Sequence, residues 1–226
     1  MKKPFVLFGA GGHAKVVLDV LVALDYPVIG VFDPRFANDS AKKWRGIPVL
    51  GADESQLSLA PTEVNLALGI GLLPRSFVRQ NVFTRWQQAG FSFPTLVHPA
   101  AVLGSNVNLG VGVQVMAGAV IQADTVIADN CIINTGAIVD HDCVIGAHSH
   151  VAPSATLCGG VSVGEMSYIA SGSSIIQGVV LPPHTVVAAG ATVVKSIAVA
   201  TTLYGTPAKP LAQSQESNQC KNGNLL

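Results

Sequence analysis

From Val97 onward every sixth residue is aliphatic. The series runs Val97, Leu103, Leu109, Val115, Ile121, Ile127, Ile133, Val139, Ile145, Val151, Leu157, Val163, Ile169, Ile175, Leu181, Val187, Val193, seventeen positions with no insertion. Two residues before each step, from Ala101 to Ala191, stand only small or β-branched side chains. A period of six fits neither the 3.6 of a helix nor the 2 of a simple strand. It is the signature of a parallel β-helix built from hexapeptides. Each hexad forms one flat wall of a three-sided coil, with the aliphatic residue facing the axis and the small residue in the tight corner. Three hexads close a coil, so residue i stacks on i+18, at a strand spacing of roughly 4.8 Å. Strands of an ordinary β-sandwich are not spaced with this regularity.

Before Val97 the pattern is different. Residues 4–8 form an apolar run, followed by a turn from Gly9 to Gly12. Val16, Val17, Val20, Leu21 and Leu24 have helical spacing, and Val28 to Phe32 reads as a second strand ending at Asp33. This is a βαβ unit. Residues 34–46 read as a loop, Ile47 to Leu50 as a short edge segment, and Asn65 to Leu68 as a further strand closed by Gly69 and Gly71. Pro74 to Gln88 reads as a helix with a buried stripe of Phe77, Val78, Val82, Phe83 and Trp86. The expected organisation is an α/β, Rossmann-like domain over 1–95, a β-helix over 96–196 and a C-terminal extension over 197–226. The polar end of that extension, Gln213 to Asn224, is expected to be disordered.

The chain of 226 residues carries 13 basic and 13 acidic side chains, which argues against a nucleic-acid or anionic-membrane partner held by bulk charge. It is 49% apolar without an 18-residue apolar run, so the apolarity points to a solenoid core and subunit contacts, not a membrane span. The start, Lys2-Lys3 followed by an apolar run, is interrupted by Gly9 to Lys15, which favours a first strand of a cytoplasmic protein over a signal peptide. Cys131, Cys143, Cys158 and Cys220 have neither metal-ligand spacing nor a disulfide framework, and read as reduced thiols.

Gly9-x-Gly11-x-x-Ala14, with Asp33 about twenty residues on, fits the dinucleotide fingerprint. The free N–H groups and positive dipole end of a helix N-terminus suit a diphosphate, and the carboxylate at the end of the second strand can accept ribose hydroxyls. NAD(P) needs a second mononucleotide half, for which the chain is too short. A nucleotide-diphosphate sugar needs only this half. A turn that merely packs helix on strand remains the alternative. His13, at the helix start, is placed to touch a phosphate or sugar.

Within the β-helix, Asp140-His141-Asp142 is a charged triplet in an apolar ladder, with His148 and His150 in the next hexad. His141 falls two past an inward position and so projects outward near a corner. A carboxylate partner favours the imidazolium and raises basicity, which suits a general base. Cys143 falls at an inward position. A zinc site built from His141, His148 and His150 stays open at this point.

Here a family resemblance becomes specific. The chain resembles the PglD/NeuD-type sugar acyltransferases in three stretches: Gly9 to His13; Asn134-Thr135 through Val139-Asp140-His141-Asp142-Cys143 to Ser149-His150-Val151; and Tyr204-Gly205-Thr206-Pro207-Ala208-Lys209. The resemblance implies a left-handed β-helix and acetyl-CoA as co-substrate, with no metal. The acceptor would be the amine of a nucleotide-linked 4-amino-4,6-dideoxy sugar, and the assembly a homotrimer with the acyl-CoA groove between neighbouring solenoids. It places the catalytic base at His141, its acidic neighbour at Asp142 (or Asp140 in its stead), and a site-holding amide at Asn134. It implies acetyl-CoA contacts at His150, Gly159, Ser171 and Ala189, and nucleotide-sugar contacts at Gly11, Gly12, His13, Asp33 and Gly69. A sugar O-acetyltransferase of the sialic-acid type and a non-catalytic nucleotide-sugar-binding trimer are the alternative expectations.

Overall fold

The computed structural model describes residues 2–38 and 42–210. The expected terminal disorder and Cys220 lie outside the described residues. The first unit is a sheet of five strands: β1 (Phe5–Phe8), β2 (Val28–Phe32), β3 (Lys43–Trp44), β4 (Ile47–Gly51) and β5 (Asn65–Leu68), in the order β3-β4-β2-β1-β5. All neighbours are parallel except the β3–β4 hairpin. The region read as a loop over 34–46 therefore contains both a short 3-10 turn (Pro34–Asn38) and strand β3. Helix α1 (Gly12–Ala23) crosses from β1 to β2 and buries Ala14, Val17, Leu18, Val20 and Leu21, as its spacing predicts.

The second helix, α2 (Val78–Gln88), is shorter than expected. Arg75 stands at φ 61, which no right-handed helix contains, so residues 74–77 turn instead. Phe77 and Val78 are correspondingly exposed and not part of a buried stripe. The place they were expected to fill is taken by Arg79, which shares a face with Val82, Phe83 and Trp86.

From Leu96 the chain winds as the hexads predict, with strands pairing at i and i+18, into the left-handed parallel β-helix that the resemblance implies. Three faces result. The first carries Leu96–Val97, Gln114–Val115, Ile132–Ile133, His150–Val151, Tyr168–Ile169 and Val186–Val187. The second runs from Val102–Leu103 to Thr192–Val193, and the third from Asn108–Leu109 to Val180–Leu181. The inward aliphatics form one continuous core from Val115 to Val193. Each buried side chain contributes about 1.5–3 kcal/mol relative to exposure. Leu103 is 39% exposed because no coil lies beneath the first one. At the other end the ladder runs past Val193: Leu203, in strand Thr202–Tyr204, pairs beside Val187 and joins the core.

The corners obey a second rule. At every sixth residue from Asn106 to Gly190 φ is positive, and the position holds Gly, Asn, Asp, His, Ser or Met. Asp142 (φ 58) and His148 (φ 58) are two of these corner residues. The α/β unit packs on the first face, with Leu96, Met116 and Ile132 of the solenoid in one apolar cluster with Leu7, Ala14 and Val17.

Candidate active site

His141 and Asp142 sit in the corner between the second and third faces. The left-handed turn at Asp142 folds its carboxylate back, so that His141 Nδ1 and Asp142 Oδ2 are 2.7 Å apart. Asp142 is thus the imidazole's partner despite its short side chain. Asp140 Oδ1 instead accepts the backbone N–H of His141 at 2.8 Å, which fixes the start of the turn. The hydrogen bond with Asp142 raises the His141 pKa above its ordinary 6.5, and the charge of Asp140 adds to this. The side chain of His141 is 60% exposed, open to an incoming group. One coil on, Gly159 gives the ring its place. A Cβ there would lie 2.5 Å from both Cε1 and Nε2 of His141. Cys143 is buried in the core, and burial raises its thiol pKa.

Asn134 and His150 pair with each other, not with His141. Asn134 Oδ1 accepts the Thr135 N–H, so its Nδ2 donates to His150 Nε2 at 3.0 Å. His150 Nδ1 then donates to Leu72 O at 3.3 Å. His150 lies beneath the α/β unit and is 6% exposed. Burial lowers its pKa to about 4, so the ring is neutral. Ser171 and Ala189 are exposed in the corner between the first and second faces, the corner that also holds Asn134. Within one chain the structure therefore brings Asn134, His150, Ser171 and Ala189 to one side of the prism, and His141, Asp142 and Gly159 to another. His148 lies in the third corner, bonded through Nδ1 to Asn130, so the three histidines do not converge on a common metal position.

The glycine turn lines a cleft of about 450 Å³ together with His13, Asp33, Gly69 to Leu73, Ser76 and Val78. Gly11 caps α1 without a side chain, so no capping side chain occupies the first N–H groups. Gly69 is required by packing: a Cβ would meet Ala14 Cβ and Gly9 O at 2.6 Å. Asp33 is largely engaged within the chain. Its Oδ2 accepts the Ala10 N–H at 2.6 Å and its Oδ1 the Arg35 N–H at 2.9 Å. Burial would raise its pKa, but these bonds outweigh it and hold the carboxyl low. His13 lines the cleft and is held from the solenoid side. Its Nε2 bonds Gln114 Oε1 of the solenoid at 2.8 Å. Sequence reasoning missed Gln114 and Arg79. Their signals were a lone amide where the neighbouring coils carry Leu96 and Ile132, and an arginine in register with the stripe of α2.

Among the described residues no helix is long and apolar enough to cross a membrane. Comparison with curated proteins gives no match. Residues 5–86 match the PglD N-terminal domain, and residues 124–159 the bacterial transferase hexapeptide (six repeats). Among solved structures, perosamine N-acetyltransferase from Caulobacter crescentus, in complex with CoA and GDP-perosamine, is 38% identical over 92% of this chain and 96% of that one, with a TM-score of 0.82. The acetyltransferase domain of PglB from Neisseria gonorrhoeae, solved with acetyl coenzyme A, is 34% identical over 93% and 100%, with a TM-score of 0.85. WeeI from Acinetobacter baumannii, 24% identical over 92% and 99% with a TM-score of 0.81, shares the fold. With both regions matched, and with relatives above 30% identity matched over nearly the whole of this chain, the chain belongs to the PglD-type family of hexapeptide-repeat, nucleotide-sugar N-acetyltransferases.

Proposed function

We propose that this protein transfers the acetyl group of acetyl-CoA to the amine of a nucleotide-linked 4-amino-4,6-dideoxy sugar, with His141 as general base and no covalent enzyme intermediate. The observation that carries the reading is the exposed His141–Asp142 pair at 2.7 Å, seated on Gly159. Asp142 accepts a hydrogen bond from Nδ1–H and leaves the Nε2 lone pair for the substrate. As the neutral amine attacks the thioester carbonyl, His141 removes a proton from the nitrogen. Collapse of the tetrahedral adduct breaks the C–S bond, and the imidazolium returns the proton to the departing CoA sulfur. Help of this kind is worth about 10²–10⁴-fold in rate. A covalent route through Cys143 is disfavoured, since a buried thiol with a raised pKa is a poor nucleophile.

The site is completed by a second copy of the chain, in a homotrimer. The cleft lies against the first face, whereas His141 occupies the corner opposite that face. A sugar held in one chain's cleft is therefore presented to the imidazole of a neighbour. The bare second and third faces expose Val102, Ile138, Val126, Val144 and Val180, apolar surface that suits such contacts.

The test is thiol release from acetyl-CoA with UDP-, dTDP- and GDP-linked amino sugars, on wild type and His141→Ala, with sedimentation to establish the assembly. Turnover of an amino sugar that is lost in His141→Ala supports the reading. Turnover only of free sialic acid moves the assignment to O-acetylation. Wild-type turnover by the variant removes His141 from its role.

A further inference from the structure

Beneath the cleft floor lies a cation without a counter-ion. Arg79 is 2% exposed and forms no ion pair among the described residues. Its Nη1 donates to Ile70 O at 2.7 Å and Leu68 O at 3.3 Å, and its Nε to Asn130 O at 3.5 Å, while Nη2 has no acceptor among the described residues. An uncompensated buried charge is costly, and burial lowers the Arg79 pKa to about 9. The two carbonyls held by Nη1, Leu68 and Ile70, flank Gly69 where the chain enters the cleft wall.

A chain of hydrogen bonds leads from this cation to the cleft wall. Leu68 O, bonded by Arg79, also accepts Gln114 Nε2 at 3.0 Å. A carbonyl can only accept, so the amide must turn its NH₂ toward Leu68 and its oxygen toward His13. Gln114 Oε1 then accepts from His13 Nε2 at 2.8 Å, which places the imidazole proton on Nε2. The charged and titratable groups facing His13 are Arg79 of α2 and His150 of the solenoid. Asp33, on another wall of the cleft, is tied to Ala10 and Arg35. Burial, Arg79 and His150 all oppose protonation of His13, against the Gln114 bond, and its pKa falls to about 3.

We infer that Arg79 and Gln114 are positioning residues of the nucleotide-sugar cleft: through His13 they hold a neutral imidazole with its proton on Nε2, so that Nδ1 accepts a hydrogen bond from a hydroxyl or N–H of the bound nucleotide-linked sugar. This rests on the nucleotide-sugar reading of the cleft. It removes His13 from phosphate binding, because a lone pair repels phosphate oxygens, and leaves the diphosphate to the open N–H groups of α1. It also leaves His141 as the titrating histidine of the reaction near neutral pH.

The experiment is ¹⁵N NMR of histidine-labelled full-length protein, with His13→Gln to identify the His13 signal, alongside steady-state kinetics for both substrates. In the wild type, His13 stays neutral with the proton on Nε2 from pH 5 to 9. Gln114→Glu places a carboxylate against Nε2 and raises the His13 pKa. At pH 5 the KM for the nucleotide sugar then rises on the order of tenfold, the worth of one hydrogen bond. That rise reverses at higher pH, while the KM for acetyl-CoA stays unchanged. Arg79→Lys keeps a charge but not the fork of donors, so His13 stays neutral while the nucleotide-sugar KM rises at every pH. A wild-type His13 that titrates near its ordinary pKa, or carries its proton on Nδ1, overturns the inference and leaves the function untouched. So does a Gln114→Glu variant whose two KM values rise alike at all pH values. A locked His13 in a chain that binds no nucleotide-linked sugar overturns the reading of the cleft and, with it, the ligand assigned to Nδ1.

Discussion

Replacing Gly159 with Ala separates the position of the catalytic ring from the stability of the fold. The added Cβ would lie 2.5 Å from Cε1 and Nε2 of His141 and 3.1 Å from Nδ1. Non-bonded carbon contacts settle near 3.5 Å, so the ring must retreat by about 1 Å. It is the end of a rotatable, exposed side chain, and the retreat costs the fold little. The φ of Gly159 is not in the left-handed region, so Ala adds no backbone strain. The retreat does break the 2.7 Å bond to Asp142. A displacement of about 1 Å at a reacting group can cost on the order of 10²-fold in rate. Thiol release should therefore show kcat down on the order of 100-fold, with a thermal midpoint close to wild type. Gly160→Ala is the control. Gly160 sits at φ 68, so Ala is strained there, but its nearest neighbours, in Gly178, are 4.0 Å away, so stability falls and the ring stays in place. If Gly159→Ala keeps wild-type kcat, the seat of His141 on Gly159 has no part in catalysis and the geometric argument is wrong.

Three other outcomes can be measured. Asp142→Asn removes the largest cause of the raised His141 pKa, so the base becomes neutral at lower pH. The acidic limb of kcat/KM should move down toward the ordinary histidine value while the plateau rate drops, and an unmoved limb would assign it to another group. Ile133→Ala, in the closed part of the solenoid, should cost about 2–5 kcal/mol in denaturant unfolding. Leu103→Ala, at the open end, should cost clearly less, and equal costs would contradict a core that is loose at its first coil. Cys143→Ala should retain turnover, because Ala119, Ala137 and Ala155 fill equivalent corners, whereas loss of activity with the fold intact would revive a thiol intermediate.

The solenoid was legible because its rule is local and repeats. An inward aliphatic every six residues and a small residue two before it suffice to determine strand, corner and the i+18 register. The βαβ unit and the charged triplet could be read for the same reason, since residues adjacent in sequence stay adjacent in space. Which carboxylate serves His141 was not legible, because that depends on the left-handed φ of Asp142, which folds its side chain back to the imidazole while Asp140 accepts the His141 backbone N–H. Nor was the fate of His13 and His150. Position along the chain does not reveal the partners that docking of the α/β unit onto the first face gives them, Gln114 for His13 and Asn134 and Leu72 for His150. The sequence by itself determined two domains, their order and the exposed corner that carries the imidazole. Only the tertiary structure decided the charge and direction of His13 and His150, because those depend on desolvation and on partners brought in by the docking of the two domains, which no local pattern encodes.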